Sequence, residues 1–170
     1  MLALAAALAM AAAVCTQGAT PTPTRTGCVE PTRRSGDAAF DGQNRAQWAK
    51  DIAAGQDTVC DAATMAYITR MEDRRGEMLL AKASGFAIYG RITDAVTGAP
   101  LDQVCVTPGK PGATCWARSD ADGWYLLDLG IVAGQPGFFE IFYTRSGYPE
   151  QHNTSRMLSG RARLDYQMTR

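Results

Sequence analysis

A single histidine, His152, stands in this chain of 170 residues. Beside a serine such as Ser155 or Ser159 it would be the base of a nucleophilic hydrolase. No Gly-x-Ser-x-Gly turn is present to expose such a serine, so a surface-loop histidine is the expectation. One imidazole also excludes zinc hydrolysis of the His-Glu-x-x-His kind. Asp120, Asp122 and Asp128 around Gly123 resemble a fragment of a calcium loop. The bidentate Glu that closes such a loop is missing, so a plain turn is expected, with no metal and no cofactor. Glu72 and Glu77, with Asp61 and Asp73, suggest a glycosidase carboxylate couple. They sit among arginines on the polar face of a helical pattern, where ion pairs explain them better. No catalytic residue is assigned, and the chain is read as a non-enzyme.

Trp116, Trp124 and Tyr148 are the candidate ligand-binding residues. With Tyr125 and Tyr143 they offer ring faces on which a sugar can stack. Tyr125 is expected in the core, and Trp116, next to Cys115, at the surface. Asn153-Thr154-Ser155 matches the N-glycosylation pattern, but three-residue matches arise by chance and none is expected to be used here.

The bulk numbers narrow the partners. Hydrophobic residues make up 46%, enough for a packed core, and 17 basic residues balance 17 acidic ones. A net charge of zero, with the arginines scattered, removes the electrostatic footprint of nucleic-acid binding. Met1–Val14 holds only Met, Leu, Ala and Val. It is too short to span a bilayer core and fits a secretory signal. Residues 1–15 are therefore read as a signal peptide, or as a lipoprotein signal with Cys15 as the lipidation site. Secretion or attachment to a bacterial envelope follows, with membrane contact only through that signal or lipid. Such a compartment favours disulfides. The chain has five cysteines; without Cys15, four remain, and these allow three pairings.

Residues 16–38 are rich in Thr and Pro and read as an exposed linker or stalk. Residues 39–84 form a helical segment. Asp41 is placed as the cap of a first helix with Ala46, Trp48, Ala49 and Ile52 inward, ended by Gly55. Asp57 is placed as the cap of a second, with Cys60, Tyr67, Ile68, Met71, Met78 and Leu79 on one face. Ala83–Gly85 is the expected joint. After Gly85 the period changes from 3.6 to 2. Phe86, Ile88, Gly90 and Ile92 point one way. Further strands are expected around Val104 and Val106, at Thr114–Ser119, Trp124–Leu129 and Phe138–Tyr143, and at a last run through Ala162, Leu164, Tyr166 and Met168. The fold class is mainly β: a seven-stranded antiparallel sandwich after a short two-helix segment.

Four ordered blocks carry a resemblance. They are Gly90-Arg-Ile-Thr-Asp94-Ala-Val-Thr-Gly98-Ala-Pro100-Leu101, then Val104-Cys-Val106, then Ser119-Asp-Ala-Asp-Gly123-Trp-Tyr125, then Ser146-Gly147-Tyr148. Residues 86–168 resemble the carboxypeptidase regulatory-like domain, a prealbumin-like (transthyretin-like) β-sandwich. Ile92 and Ser119 stand where the pattern has Val and Thr. The resemblance implies a fold and no active site. Its residues have turn-building duties: Asp94 accepts backbone N–H groups, Gly98 takes positive φ and Pro100 restricts the turn. Cys105 and Cys115 lie symmetrically about Lys110; a hairpin would bring them together. A Cys105–Cys115 bond is therefore expected, leaving Cys28 to pair with Cys60. The functional expectation is a non-catalytic accessory protein for protein interaction or structural support. The alternative is a carbohydrate-binding module for extracellular or envelope polysaccharide.

Overall fold

The structure is a computed structural model. It describes residues 28, 31–54, 60–109, 114–130, 137–157 and 160–170. The expected signal, Cys15, most of the Thr/Pro linker, Gly55, Asp57, Lys110 and Ser159 lie outside the described residues. The chain divides into two compact units between Met71 and Glu72.

The first unit holds helix α1, Ala38–Ala54, and the first turns of α2, Cys60–Leu80. Trp48, Ile52, Ala63, Tyr67 and Met71 form its core with Cys28. The Trp48 indole N–H donates to Thr64 Oγ1 at 3.2 Å. The cap of α1 is Asp37, whose Oδ1 accepts from the Phe40 amide at 3.1 Å, and not Asp41. Asp41 instead lies inside the helix, buried, and accepts from the Ser35 amide and hydroxyl at 3.0 and 2.6 Å. The inward stripe of α1 is thus Asp41, Asn44, Trp48 and Ile52, while Ala46 and Ala49 are exposed. Asn44 joins it because its amide donates to the Tyr67 carbonyl at 3.1 Å and its Oδ1 accepts from Arg70. In the described part of the expected stalk, Arg34, Gly36 and Ala38 are exposed, while Cys28, Pro31 and Ser35 are buried. The Cys28–Cys60 disulfide and the Ser35–Asp41 bonds account for that.

The second unit begins with the last turns of α2. Three contacts tie these turns to the sheet. Glu72 pairs with Arg163 at 2.9 Å, Arg75 pairs with Asp120, and Gly76 meets Tyr89, whose ring would lie 2.6 Å from an added Cβ.

Eight strands follow among the described residues: β1 Phe86–Asp94, β2 Cys105–Pro108, β3 Ala117–Arg118, β4 Trp124–Gly130, β5 Gly137–Thr144, β6 Gln151–Met157, β7 Arg161–Arg163 and β8 Tyr166–Met168. One sheet runs β4-β1-β7 with β8 also on β1; the other runs β3-β2-β5-β6. Together they form a mostly antiparallel β-sandwich. Two features differ from the expected seven antiparallel strands. The segment 151–157, read as a loop, is an edge strand paired with β5 from Gly137↔Met157 to Tyr143↔Gln151. The last run is split, and both of its pieces lie parallel to β1. The split occurs at Leu164, whose carbonyl turns toward β1 at Gly90. A Cβ on Gly90 would sit 2.0 Å from that oxygen, so only glycine admits this approach.

Alternation in β1 places Ile88 and Ile92 inward, and they meet Val104, Val106, Tyr125, Leu127, Ile141, Tyr143 and Met168 in one core. Each fully buried aliphatic side chain there contributes about 1.5–3 kcal/mol. The Asp120–Gly123 turn delivers Tyr125 inward, as its place in the motif implies. Gly123 has φ +82° and its Cβ position lies 2.4 Å from the Ile92 carbonyl oxygen, so a side chain is excluded twice.

Candidate binding site

The site grows from one buried serine. Ser119 makes four hydrogen bonds to the segment that leads into β2. Its amide donates to Val104 O (3.0 Å) and its carbonyl accepts from the Gln103 amide (2.9 Å). Its hydroxyl accepts from the Val104 amide at 2.9 Å and donates to Leu101 O at 2.6 Å. This clamp holds Gln103 at φ 55°, a left-handed conformation that glutamine seldom adopts. Such strain persists only where surroundings impose it, and it gathers at binding and switch regions.

Around Gln103 lies a wide-mouthed concavity of about 890 Å³. Its walls include Asp102, Gln103, Arg118, Arg145, Tyr148 and Glu150, together with the bonded pair Cys105 and Cys115. The two cysteine Cα atoms are 5.5 Å apart. Arg145 is fixed from both ends: its Nη2 reaches Asp102 Oδ1 at 2.7 Å and its Nε reaches Asp102 O at 2.8 Å. Its guanidinium also lies 5.6 Å from the centre of the Tyr148 ring. Opposite charges at Arg118 and Glu150 complete the lining. Trp116 follows Cys115 in the chain and is 57% exposed, a large apolar face held in place by the bond beside it.

Tyr148 links the concavity to the motif turn. Its hydroxyl donates to Asp94 Oδ2 at 2.6 Å. Asp94 Oδ1 accepts from the Val96 amide, the Thr97 amide and the Thr97 hydroxyl at 3.0, 2.8 and 3.0 Å. The Tyr148 hydroxyl first, then the Thr97 amide, hold the Asp94 carboxyl well below the usual carboxylate range. Gly98 closes the turn at φ 65°.

The other candidates have different surroundings. The platform of Trp116, Trp124 and Tyr148 is not assembled. Trp124 is only 5% exposed, and Arg163 covers its ring at 5.2 Å. The strand alternation that sends Tyr125 into the core puts Trp124 on the opposite face, under Arg163. His152 lies on β6, its Nε2 3.5 Å from Glu140 Oε1 and its ring 5.3 Å from Phe142. Asp120 is a turn acceptor for the Asp122 and Trp124 amides at 3.0 and 2.9 Å and the partner of Arg75. Asp128 accepts from the Ser84 amide and hydroxyl and the Gly130 amide; the Ser84 amide is the main reason its carboxyl titrates below the ordinary value. Glu72 and Glu77 each pair with an arginine. Asp102, Gln103, Arg118, Arg145 and Glu150 carry no sequence motif. The spacing of Cys105 and Cys115 was the signal that pointed to their neighbourhood.

Compared with family models and with curated proteins, the sequence matches none. Among solved structures it is similar to a chain of a type II cohesin–X-dockerin complex from Acetivibrio cellulolyticus, at 18% identity over 48% of this chain and 53% of that one, with TM-score 0.36. It therefore spans about half the length of that structure. It is also similar to Klebsiella pneumoniae 5-hydroxyisourate hydrolase, at 14% identity over 49% of this chain and 84% of that one, TM-score 0.37.

Proposed function

We propose that this chain is an exported or surface-attached, non-catalytic accessory protein. Its carboxypeptidase regulatory-like sandwich would bind another protein through the concavity beside Cys105–Cys115. The observation that carries the reading is the exposed Trp116 on a disulfide-tethered segment next to arginines that line a concave surface. Tryptophan, tyrosine and arginine dominate protein-binding hot spots. A fixed scaffold lowers the ordering cost of association, and here the Ser119 clamp, the disulfide and the Arg145–Asp102 pair supply that fixity. A secreted or envelope location suits the two disulfides and the apolar start of the sequence; Cys15 would then carry the lipid if the protein is anchored. The sugar-binding alternative is less well supported, because Trp116 lacks a second exposed ring beside it once Trp124 is buried.

The test is affinity capture from the envelope and secreted fractions of the source cell, with a glycan array on the same preparation. The comparison is between the full chain and its Trp116→Ala and Arg118→Glu variants. The expected result is a protein captured by the unaltered chain and lost, by tenfold or more, with either variant. Array binding that depends on Trp116, with no protein captured, would overturn the reading in favour of a carbohydrate module.

A further inference from the structure

We propose that the Cys105–Cys115 disulfide is a thiol-exchange site, opened by a dithiol reductant, that controls the wall of the concavity. The inference rests on the binding reading above for its consequence, but not for its chemistry.

The two disulfides have different surroundings. Cys28 is 3% exposed and belongs to the core of the first unit, with Cys60 packed against it. Cys105 and Cys115 are both partly exposed and line an open concavity. Exchange needs a thiolate to approach a sulfur along the S–S axis, so access governs its rate. A concavity of about 890 Å³ admits a small dithiol, or the tip of a protein that presents one. Cys28 is closed off within that core, and only its partner Cys60 is partly exposed.

The exchange balances as follows. A reductant thiolate attacks one sulfur, the Cys105–Cys115 bond breaks, and the other sulfur leaves as a thiolate that takes a proton from water. The reductant's second thiolate attacks the mixed disulfide and frees the first cysteine. The dithiol is oxidised to its own disulfide, and the protein gains two thiols. An acceptor for the Cys115 thiol is already in place, because its sulfur lies 2.9 Å from the Ala117 carbonyl oxygen.

Reduction would matter because, beyond the Ser119 clamp at its C-terminal end, the described part of the 114–118 segment has few other ties. Residues 114–116 belong to no strand. The β3 strand that follows has only two register pairs with β2, Cys105↔Arg118 and Val106↔Ala117. Without the bond, Trp116 and Arg118 lose the covalent tie at Cys115 that links their segment to β2.

The experiment exposes the full chain to a fixed concentration of dithiothreitol and samples it over time. Thiols are trapped by alkylation and assigned by peptide mapping, and acrylamide quenching follows the exposed Trp116. Cys105 and Cys115 are expected to become labelled about tenfold faster than Cys28 and Cys60. Trp116 quenching should change over the same interval while the far-ultraviolet spectrum is retained. Reduction of both bonds together, or of Cys28–Cys60 first, would overturn the proposal. So would ordered reduction with no change at Trp116. None of these readouts needs the partner. A Cys105→Ser/Cys115→Ser variant checks that the quenching change is that of the open form. If labelling and quenching behave as expected but capture is unchanged in the reduced chain, the exchange site stands and the assignment of the partner to this concavity fails.

Discussion

Replacing Ser119 with alanine isolates the clamp under the concavity. The substitution removes the hydroxyl that accepts from the Val104 amide and donates to the Leu101 carbonyl. Leu101 and Val104 are 4% and 0% exposed, so water does not readily replace the lost partner. An orphaned buried donor or acceptor costs about 1–3 kcal/mol. Ser119's own backbone bonds to Gln103 and Val104 survive and limit relaxation, which gives a loss of about 2–4 kcal/mol. With a urea slope of about 2 kcal/mol per molar, the midpoint should fall by about 1–2 M. The assay is equilibrium urea unfolding of the full chain, disulfides intact, followed by circular dichroism in the strand region. Ser119→Thr keeps the hydroxyl and should remain within about 1 kcal/mol of the unaltered chain. A midpoint for Ser119→Ala within about 0.2 M of the parent would refute the clamp. Threonine as damaging as alanine would show that shape, not the hydroxyl, sets the stability there.

Other expectations follow from the same contacts. Asp94 is held low by Tyr148 and Thr97; its contribution is full above about pH 4 and is lost as pH falls toward its folded value. Stability measured from pH 6 down to pH 2.5 should therefore fall less steeply in Asp94→Asn than in the parent. Burial pushes the Tyr143 phenol up to about 12 and the Tyr125 phenol higher still. A raised phenol stabilises fully below about pH 10 and loses that contribution as pH rises through the folded value. Absorbance titration should show these two rings ionising only at strongly alkaline pH, with unfolding accompanying them. Trp116→Ala should leave the urea midpoint unchanged within about 0.5 kcal/mol while removing partner capture. Gly90→Ala, whose Cβ meets the Leu164 carbonyl, should lower the melting temperature by more than an exposed Gly→Ala change at Gly42, where nothing lies within 4 Å.

Much of the sandwich was legible because its signals are local. Ile88 and Ile92 alternate on one strand, and Asp94, Gly98 and Gly123 are residue types that particular turns demand. The parts that were missed depend on partners distant in sequence. The β6 strand is polar, from Gln151 to Arg156, because it lies at the sheet edge and its strand state comes from pairing with β5; no apolar period marks it. The break at Leu164–Asp165 follows from the approach to Gly90 and from Asp165 accepting the Arg91 amide at 2.8 Å. The cap of α1 is Asp37 and not the expected Asp41, because Asp41 is taken up by Ser35, a contact that no apolar period marks. In the site, the cysteine spacing was readable. The left-handed Gln103 was not, because glutamine carries no turn signature. Arg118 and Glu150 come to line one concavity only once segments distant in sequence have folded.

The central position of β1 has a consequence for synthesis. Its neighbour on one side, β4, lies within the next 45 residues, but its parallel partners are Arg161–Arg163 and Tyr166–Met168. Contacts this far apart along a chain slow folding, since a long loop must close before they form. As the polypeptide emerges from the ribosome, β1 waits with one side unpaired until the last strands arrive. Met168, fully buried, is among the final residues to join the core. The sandwich therefore closes late and as a unit, and a nascent chain truncated before residue 161 would display an open strand edge to whatever chaperone or neighbouring chain meets it.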